Sequence, residues 1–201
     1  MIIDLESVLA AERPTDAATL VELRDRLAAR ARADGLLDVW YRALDTPLGS
    51  LLLAATRVGL IRVAFAVQGH DRALDDLAQR VGPRVLADAR PLDGVARELD
   101  EYFAGRRRAF DLPLDHRLNS GFRADVLAQL PRIGYGTTAI YADVARAAGR
   151  PRAVRAVGSA CGANPLPIVV PCHRVVRSDG SAGGYAGGAE AKRMLLRLEE
   201  G

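Results

Sequence analysis

Three short apolar runs near the start of the chain leave little freedom in what they can build. Residues 39–44, 50–56 and 60–65 are separated only by Thr46-Pro47-Leu48-Gly49 and by Arg57-Val58-Gly59. Turns this short join antiparallel neighbours, because a parallel return needs a crossover of about a dozen residues or more. The runs therefore predict an antiparallel meander, which needs helices to cover it. Residues 70–81 and 92–103 have the required periodicity, and the second helix stops at Gly105. Arg106-Arg107-Arg108 reads as a helix end and a solvated turn. Upstream, residues 16–34 predict an amphipathic helix whose Leu20, Leu23, Leu27 and Ala31 form one stripe, with Gly35 as its stop. This gives a helical N-terminal extension over 1–38, read as packing only, and a small α+β domain over 39–112 with no obvious site.

The second half, 113–201, changes character. A helix over 121–130 leads into the turn Ile133-Gly134-Tyr135-Gly136, and a second helix over 141–148 stops at Gly149. Pro151 suits the first turn of a third helix running to Cys161 or Gly162. Two short helices joined by Ala148-Gly149-Arg150 have helix-turn-helix spacing. The later one is faced with Ala, Gly and Ser, which permits close approach either to the core or to a nucleic-acid groove. Asn164-Pro165-Leu166-Pro167 forms a rigid turn that delivers an apolar strand ending at Cys172. Residues 178–188 are glycine-rich with one aromatic, Tyr185, and suit a loop that closes over a flat ligand. A last helix over 189–199 turns Met194, Leu195 and Leu198 to the core. The fold class is α+β: an N-terminal antiparallel-sheet α/β domain, then a helical, winged-helix-like domain containing a helix-turn-helix.

Charge is divided unevenly. Residues 113–201 carry twelve basic and seven acidic side chains, whereas the remainder carries sixteen and eighteen. Between Val144 and Ser178 there is no carboxylate and there are six arginines, at 146, 150, 152, 155, 174 and 177. Such a field attracts polyanions, and arginine suits phosphate. No apolar run approaches the roughly 20 residues that span a bilayer, and the first residues lack the pattern of a secretory signal. Two cysteines eleven positions apart form no disulfide framework, which points to a reducing cytoplasm. Three histidines at unrelated spacings argue against a structural metal site.

Within this basic half lies Pro171-Cys172-His173-Arg174. A thiol attacks as thiolate, and an adjacent histidine or positive charge is the usual means of lowering its pKa. Composition alone favours Cys172 as a small buried hydrophobe. Its neighbours Pro171 and His173 favour a nucleophile.

Taken together, the elements over about 39–200 resemble the O(6)-alkylguanine–DNA alkyltransferases, the methylated-DNA–protein-cysteine methyltransferases. Pro171-Cys172-His173-Arg174-Val175 is similar to that family's active-site signature, and Asn164-Pro165-Leu166-Pro167 to the turn before it. Arg155-Ala156-Val157-Gly158 resembles its recognition helix, and Gly183-Gly184-Tyr185-Ala186-Gly187-Gly188 its lid loop. The N-terminal half matches mainly in layout and at Thr46-Pro47-Leu48-Gly49-Ser50.

The resemblance implies direct-reversal DNA repair, with Cys172 as alkyl acceptor, His173 taking its proton through a water, and Glu199 orienting His173. It implies that Asn164 braces the turn, and that Tyr141 sits at the phosphate of a flipped nucleotide and protonates the departing guanine. Arg155 would enter from the minor groove and fill the vacated space, with Ala153, Gly158, Arg150 and Ser178 also on DNA. Tyr185, Ala186, Pro167 and Val175 would line the base pocket. The expected partner is double-stranded DNA carrying O(6)-alkylguanine, with O(4)-alkylthymine as a further substrate. The resemblance further implies a single-turnover monomer with no cofactor and no metal. Ala186 stands where some members carry a hydroxyl, and Cys161 where some carry a larger apolar side chain. Competing readings are a lesion binder without chemistry, which would lack Cys172; a cysteine hydrolase, ill-matched to a glycine-rich basic surround; and a redox-sensing regulator, which leaves the lid loop unexplained.

Overall fold

A computed structural model describes residues 17–201. The meander is present: β1 (Val39–Thr46) pairs antiparallel with β2 (Gly49–Ala55), and β2 with β3 (Leu60–Phe65). The first hairpin closes tightly, with Thr46 opposite Gly49. Thr46 Oγ1 donates to the Gly49 carbonyl at 2.6 Å, and Gly49 takes φ +87°, a conformation glycine adopts without strain. Helix α1 (Ala17–Ala33) precedes the sheet, and α2 (His70–Arg80) follows it. One strand was not predicted. Three residues, β4 (Val85–Ala87), pair parallel with the outer side of β1, so the sheet is mixed, in the order β3-β2-β1-β4.

The sheet is covered on both faces. Ala54 and Ile61 meet Leu77 of α2, and Leu52 and Ala64 meet Ala73 of the same helix. Leu51, Leu53, Val63 and Phe65 face the other way, into a core that continues through α3 (Asp93–Phe103) into the second half of the chain. Helix α1 corrects the expectation for its leucines. Leu20, Leu23 and Leu27 are 44%, 51% and 61% exposed, so the leucines look outward and of the stripe only Ala31 packs against the core. The helix is instead held through buried Ala28 and an Arg32–Asp88 ion pair at 2.8 Å.

In the second half, α4 (Gly121–Gln129), α5 (Tyr141–Ala147) and α6 (Val154–Gly162) pack on one another, α5 and α6 forming the helix-turn-helix. Helix α6 starts later than expected. Pro151 lies in a turn closed by the Ala153 N–H on the Arg150 carbonyl at 2.9 Å, and regular helix begins only at Val154. Two-residue strands β5 (Ala139–Ile140) and β6 (Val175–Val176) pair in parallel, and α7 (Gly188–Glu200) ends the chain.

The expected apolar strand before Cys172 is a compact turn. The Val170 N–H reaches the Leu166 carbonyl and the Cys172 N–H the Val170 carbonyl, both at 2.8 Å. Ile168 takes φ +75°, the one positive φ outside glycine among the described residues. A β-branched residue there is strained, and such strain persists only where the surroundings over-determine the backbone. That strained turn abuts the sheet, where the Val63 N–H donates to the Pro165 carbonyl at 2.8 Å.

Candidate active site

The turn from Asn164 to Pro171 ends in a 3-10 turn, Cys172–Arg174, that buries both Cys172 and His173. Asn164 braces it from within. Its Nδ2 donates to the Val170 carbonyl at 2.8 Å and to Cys172 Sγ at 3.1 Å, while its Oδ1 accepts from the Leu166 N–H at 3.0 Å. One buried amide thus shapes the turn and offers the sulfur a donor that favours thiolate.

His173 Nε2 lies 2.9 Å from Glu199 Oε1 on α7. The other ring nitrogen, Nδ1, is buried with no partner among the described residues. Glu199 is the most heavily engaged side chain at the site. Its Oε1 also accepts from the Tyr102 hydroxyl at 2.7 Å and Arg174 Nη2 at 2.8 Å, and its Oε2 from Arg174 Nε at 2.8 Å and the Gly136 N–H at 3.3 Å. Gly136 has φ +71°, and a Cβ there would come 2.8 Å from the Glu199 carbonyl oxygen, so glycine is what permits this approach.

These contacts set the charges. Burial pushes the Glu199 carboxyl up, but the bonds from His173, Arg174 and Tyr102 outweigh it and bring the group down to about 2. Burial lowers His173, against the pull of Glu199, so the imidazole rests neutral. The thiol departs from the expectation that its neighbours would lower its pKa. Burial pushes Cys172 up to about 11, with Asn164 and Lys192 opposing. The adjacent histidine does not help at rest because it is itself uncharged. The thiol is therefore protonated and must lose its proton during reaction.

Lys192 was not anticipated. It is fully buried on α7, with Nζ donating to the Val175 carbonyl at 2.6 Å and lying 5.9 Å from the centroid of the Tyr141 ring. Burial lowers its pKa, while Cys172 and Cys161 oppose that shift. Tyr141 opens α5, and burial, then Cys161 and Cys172, push its hydroxyl up, so it remains a proton donor. Burial likewise keeps Cys161 on α6 protonated, at about 12.

The glycine loop closes over this group. A Cβ at Gly183 would lie 2.2 Å from the Tyr141 hydroxyl, and one at Gly187 2.7 Å from the Phe65 ring. Tyr185 packs edge-on against Phe65 at 5.5 Å and against His173 at 6.3 Å between ring centroids. Its hydroxyl is buried without a hydrogen-bond partner among the described residues, and burial keeps it protonated, well above the ordinary tyrosine range. Pro167 is buried and Ala186 half-buried beside the loop, while Val175 is fully buried in β6. On the outer face, Arg155, Arg150 and Ser178 are exposed, and Ala153 and Gly158 half-exposed. Arg150 stacks on the Phe122 ring at 5.1 Å. Gly158 lies beside Tyr141, whose ring a Cβ there would touch at an ordinary contact distance of 4.0 Å. Tyr141 thus links the exposed helix-turn-helix to the buried sulfur.

A buried cysteine beside a histidine–glutamate pair, roofed by a tyrosine loop and flanked by an arginine-bearing helix-turn-helix, defines a DNA-acting protein whose chemistry centres on a thiol. Comparison with known proteins gives the family. The model for the ribonuclease-like domain of 6-O-methylguanine DNA methyltransferase matches residues 39–116, and that for its DNA binding domain matches 121–201. A methylated-DNA–protein-cysteine methyltransferase of Methanosarcina barkeri is 37% identical over 162 residues, covering 81% of this chain and 98% of its own. The constitutive Bacillus subtilis enzyme of that name is 38% identical, covering 80% and 94%. The crystal structure of the Mycobacterium tuberculosis O6-methylguanine methyltransferase superposes with a TM-score of 0.71 at 38% identity, covering 81% and 93%. That protein has also been solved in complex with DNA, with a TM-score of 0.71. The chain belongs to the 6-O-methylguanine DNA methyltransferase family. Its activity is that of a methylated-DNA–protein-cysteine methyltransferase, a direct-reversal DNA repair reaction, and DNA is its partner.

Proposed function

We propose that Cys172 is the acceptor and that the residues around it divide the chemistry as follows. The lesion, O(6)-alkylguanine in duplex DNA, is turned out of the stack, because the alkylated oxygen is otherwise inside the helix. Arg155, exposed on α6, enters from the minor-groove side and occupies the vacated space. Arg150, Ser178, Ala153 and Gly158 meet the adjoining backbone, where phosphate contacts supply affinity with little sequence preference. The flipped base lies between Tyr185, Ala186, Pro167 and Val175.

The thiol proton passes to His173 Nδ1, the nitrogen that Glu199 leaves free, with a water as carrier. The resulting imidazolium is neutralised by Glu199, and Asn164 steadies the thiolate. The sulfur attacks the alkyl carbon in line; the S–C bond forms as the C–O bond breaks, and its electron pair stays with the guanine. Tyr141 supplies the proton that neutralises the leaving base. The product is a thioether, which neither hydrolysis nor exchange reverses, so each molecule acts once and needs no cofactor. The same displacement is open to O(4)-alkylthymine. The protein acts as a monomer in the cytoplasm, with residues 1–38 as an appended element, 39–112 as the supporting domain and 113–201 as the DNA-binding and acceptor domain.

The observation that carries this reading is the Asn164 bond to Cys172 Sγ beside a His173 whose outer nitrogen is unengaged. The test is the intact mass of the protein after incubation with a duplex holding one O(6)-methylguanine. A gain of one methyl group is expected, mapped to Cys172 and absent from Cys161, with the reaction stopping at one equivalent. Multiple turnovers, or repair with Cys172 unmodified, would refute it. Cys172→Ala should bind the same duplex and leave the methyl in place.

A further inference from the structure

The supporting domain, which the sequence left without a site, reaches the reaction centre through one hydroxyl. Tyr102 is the penultimate residue of α3 and is fully buried, ringed by Phe103, Phe110 and Tyr135 at 5.2 to 6.2 Å between centroids. Its hydroxyl crosses 97 positions of sequence to donate to Glu199 Oε1 at 2.7 Å, on the same oxygen that faces His173 Nε2 at 2.9 Å. We infer that Tyr102 is a positioning residue for the transfer reaction, acting through Glu199 to fix both the orientation and the basicity of His173. This inference rests on the proposed roles of Cys172 and His173.

Geometry separates Tyr102 from the other donors. Arg174 grips both oxygens of Glu199 and supplies the permanent positive charge that keeps it ionised. Tyr102 adds no charge. With Arg174 Nη2 it pins Oε1 from two sides, which fixes where that oxygen meets Nε2 and disperses part of its negative charge. A carboxylate oxygen relieved of some charge pulls less strongly on a neighbouring imidazole proton, so Tyr102 restrains the basicity of His173. Burial keeps the Tyr102 hydroxyl protonated, well above the ordinary tyrosine range, so it donates at every working pH. The charged and titratable groups facing His173 are Glu199 and Lys192 from α7, Arg174 from its own turn and Tyr185 from the loop, with Tyr102 acting behind Glu199.

The sign of the effect follows. Tyr102→Phe keeps the ring and its packing but removes the donor, so Oε1 turns more charge on His173 and raises its affinity for a proton. The imidazole must be neutral to accept the thiol proton, so the acid limb of the single-turnover rate moves to higher pH. With Oε1 less constrained, the rate on the plateau falls about tenfold, a fraction of the roughly hundredfold or more that a whole general base contributes.

Tyr135→Phe is the control. It removes a hydroxyl that touches α7 at the Leu198 carbonyl, 3.1 Å away, but not Glu199. The experiment measures methyl transfer to Cys172 by mass, from pH 5.5 to 8.5, for the parent and both variants, with lesion-duplex affinity measured in parallel. Expected are an upward-shifted acid limb and a lower plateau for Tyr102→Phe alone, at unchanged affinity. A parental profile for Tyr102→Phe, or equal slowing by both variants with no shift of the limb, would overturn the inference. A parent that repairs the duplex without modifying Cys172 would instead overturn the underlying assignment of the site.

Discussion

At Glu199 a carboxylate whose ionisation burial opposes is held ionised by four neighbouring groups, and the protein's acid stability should reflect it. Its pKa falls from an ordinary 4.5 to about 2, and that of His173 is lowered from 6.5 by burial. Below pH 6.5 the unfolded chain binds a proton on His173 that the folded chain refuses, and below 4.5 the same becomes true of Glu199. In both cases the unfolded state gains more protons, so stability is fully present above pH 6.5 and is lost progressively as pH falls through the two windows. The Glu199 contribution is on the order of 3 kcal/mol, lost between pH 4.5 and about 2. Glu199→Gln should cost about 3 kcal/mol at pH 7, because it leaves the Arg174 guanidinium buried without its charge partner. It should also flatten the decline on acidification. Urea midpoints measured from pH 7 down to pH 3 check both, and an unchanged acid slope in the variant would place the loss elsewhere.

At the scale of elements, the glycine loop and α5 are matched by contact. Gly183 has no room for a Cβ, which would sit 2.2 Å from the Tyr141 hydroxyl, whereas Gly184 next to it has open space. Neither has the left-handed φ that would strain a substitution. Gly183→Ala should therefore displace Tyr141 or lift the loop and slow methyl transfer tenfold or more, since misplacement by about 1 Å can cost roughly a hundredfold. Gly184→Ala should stay within a factor of about two, and single-turnover rates on the lesion duplex compare them. Equal effects would mean the loop is not seated on Tyr141 during transfer. The loop, the helix-turn-helix and the hairpin were all legible in the sequence because each is marked by local signals, glycine stops and short turns. What was not legible is set by distant partners. The three residues of β4 are too few to show a period, and the run before Cys172 looks like a strand until Asn164 and the sheet edge bend it. The leucine stripe of α1 has helical spacing, yet the fold turns Ala28 inward instead. Tyr102, Arg174 and Lys192 meet their partners across 97, 25 and 17 positions, and no local pattern announces such pairs.

Across the whole molecule, the proposed division near residue 112 does not coincide with a break in packing. The same hydrophobic core contains Leu53 and Phe65 of the sheet, Leu99 and Tyr102 of α3, and Val157, Ile168 and Leu195 of the second half. Backbone bonds cross the division as well. The Leu60 N–H reaches the Pro113 carbonyl at 2.8 Å, the Asp115 N–H the Leu60 carbonyl at 2.9 Å, and the Val63 N–H the Pro165 carbonyl. A Cβ at Gly59 would come 2.1 Å from the Pro113 oxygen, so the linker lies directly on the sheet. Two halves that share buried side chains gain their stability together, and neither keeps a covered core when the other unfolds. Residues 39–201 should therefore unfold in one step. The single tryptophan tests this: Trp40, 8% exposed, reports the sheet alone, while far-UV circular dichroism follows helices on both sides of residue 112. Urea curves from the two signals should superimpose. A tryptophan transition complete while a helical step remains would show that the sheet can open while the acceptor domain stays folded. In that case the Tyr102 hydroxyl would leave Glu199 before Cys172 is exposed, and the two halves would be independent in stability as well as in sequence character.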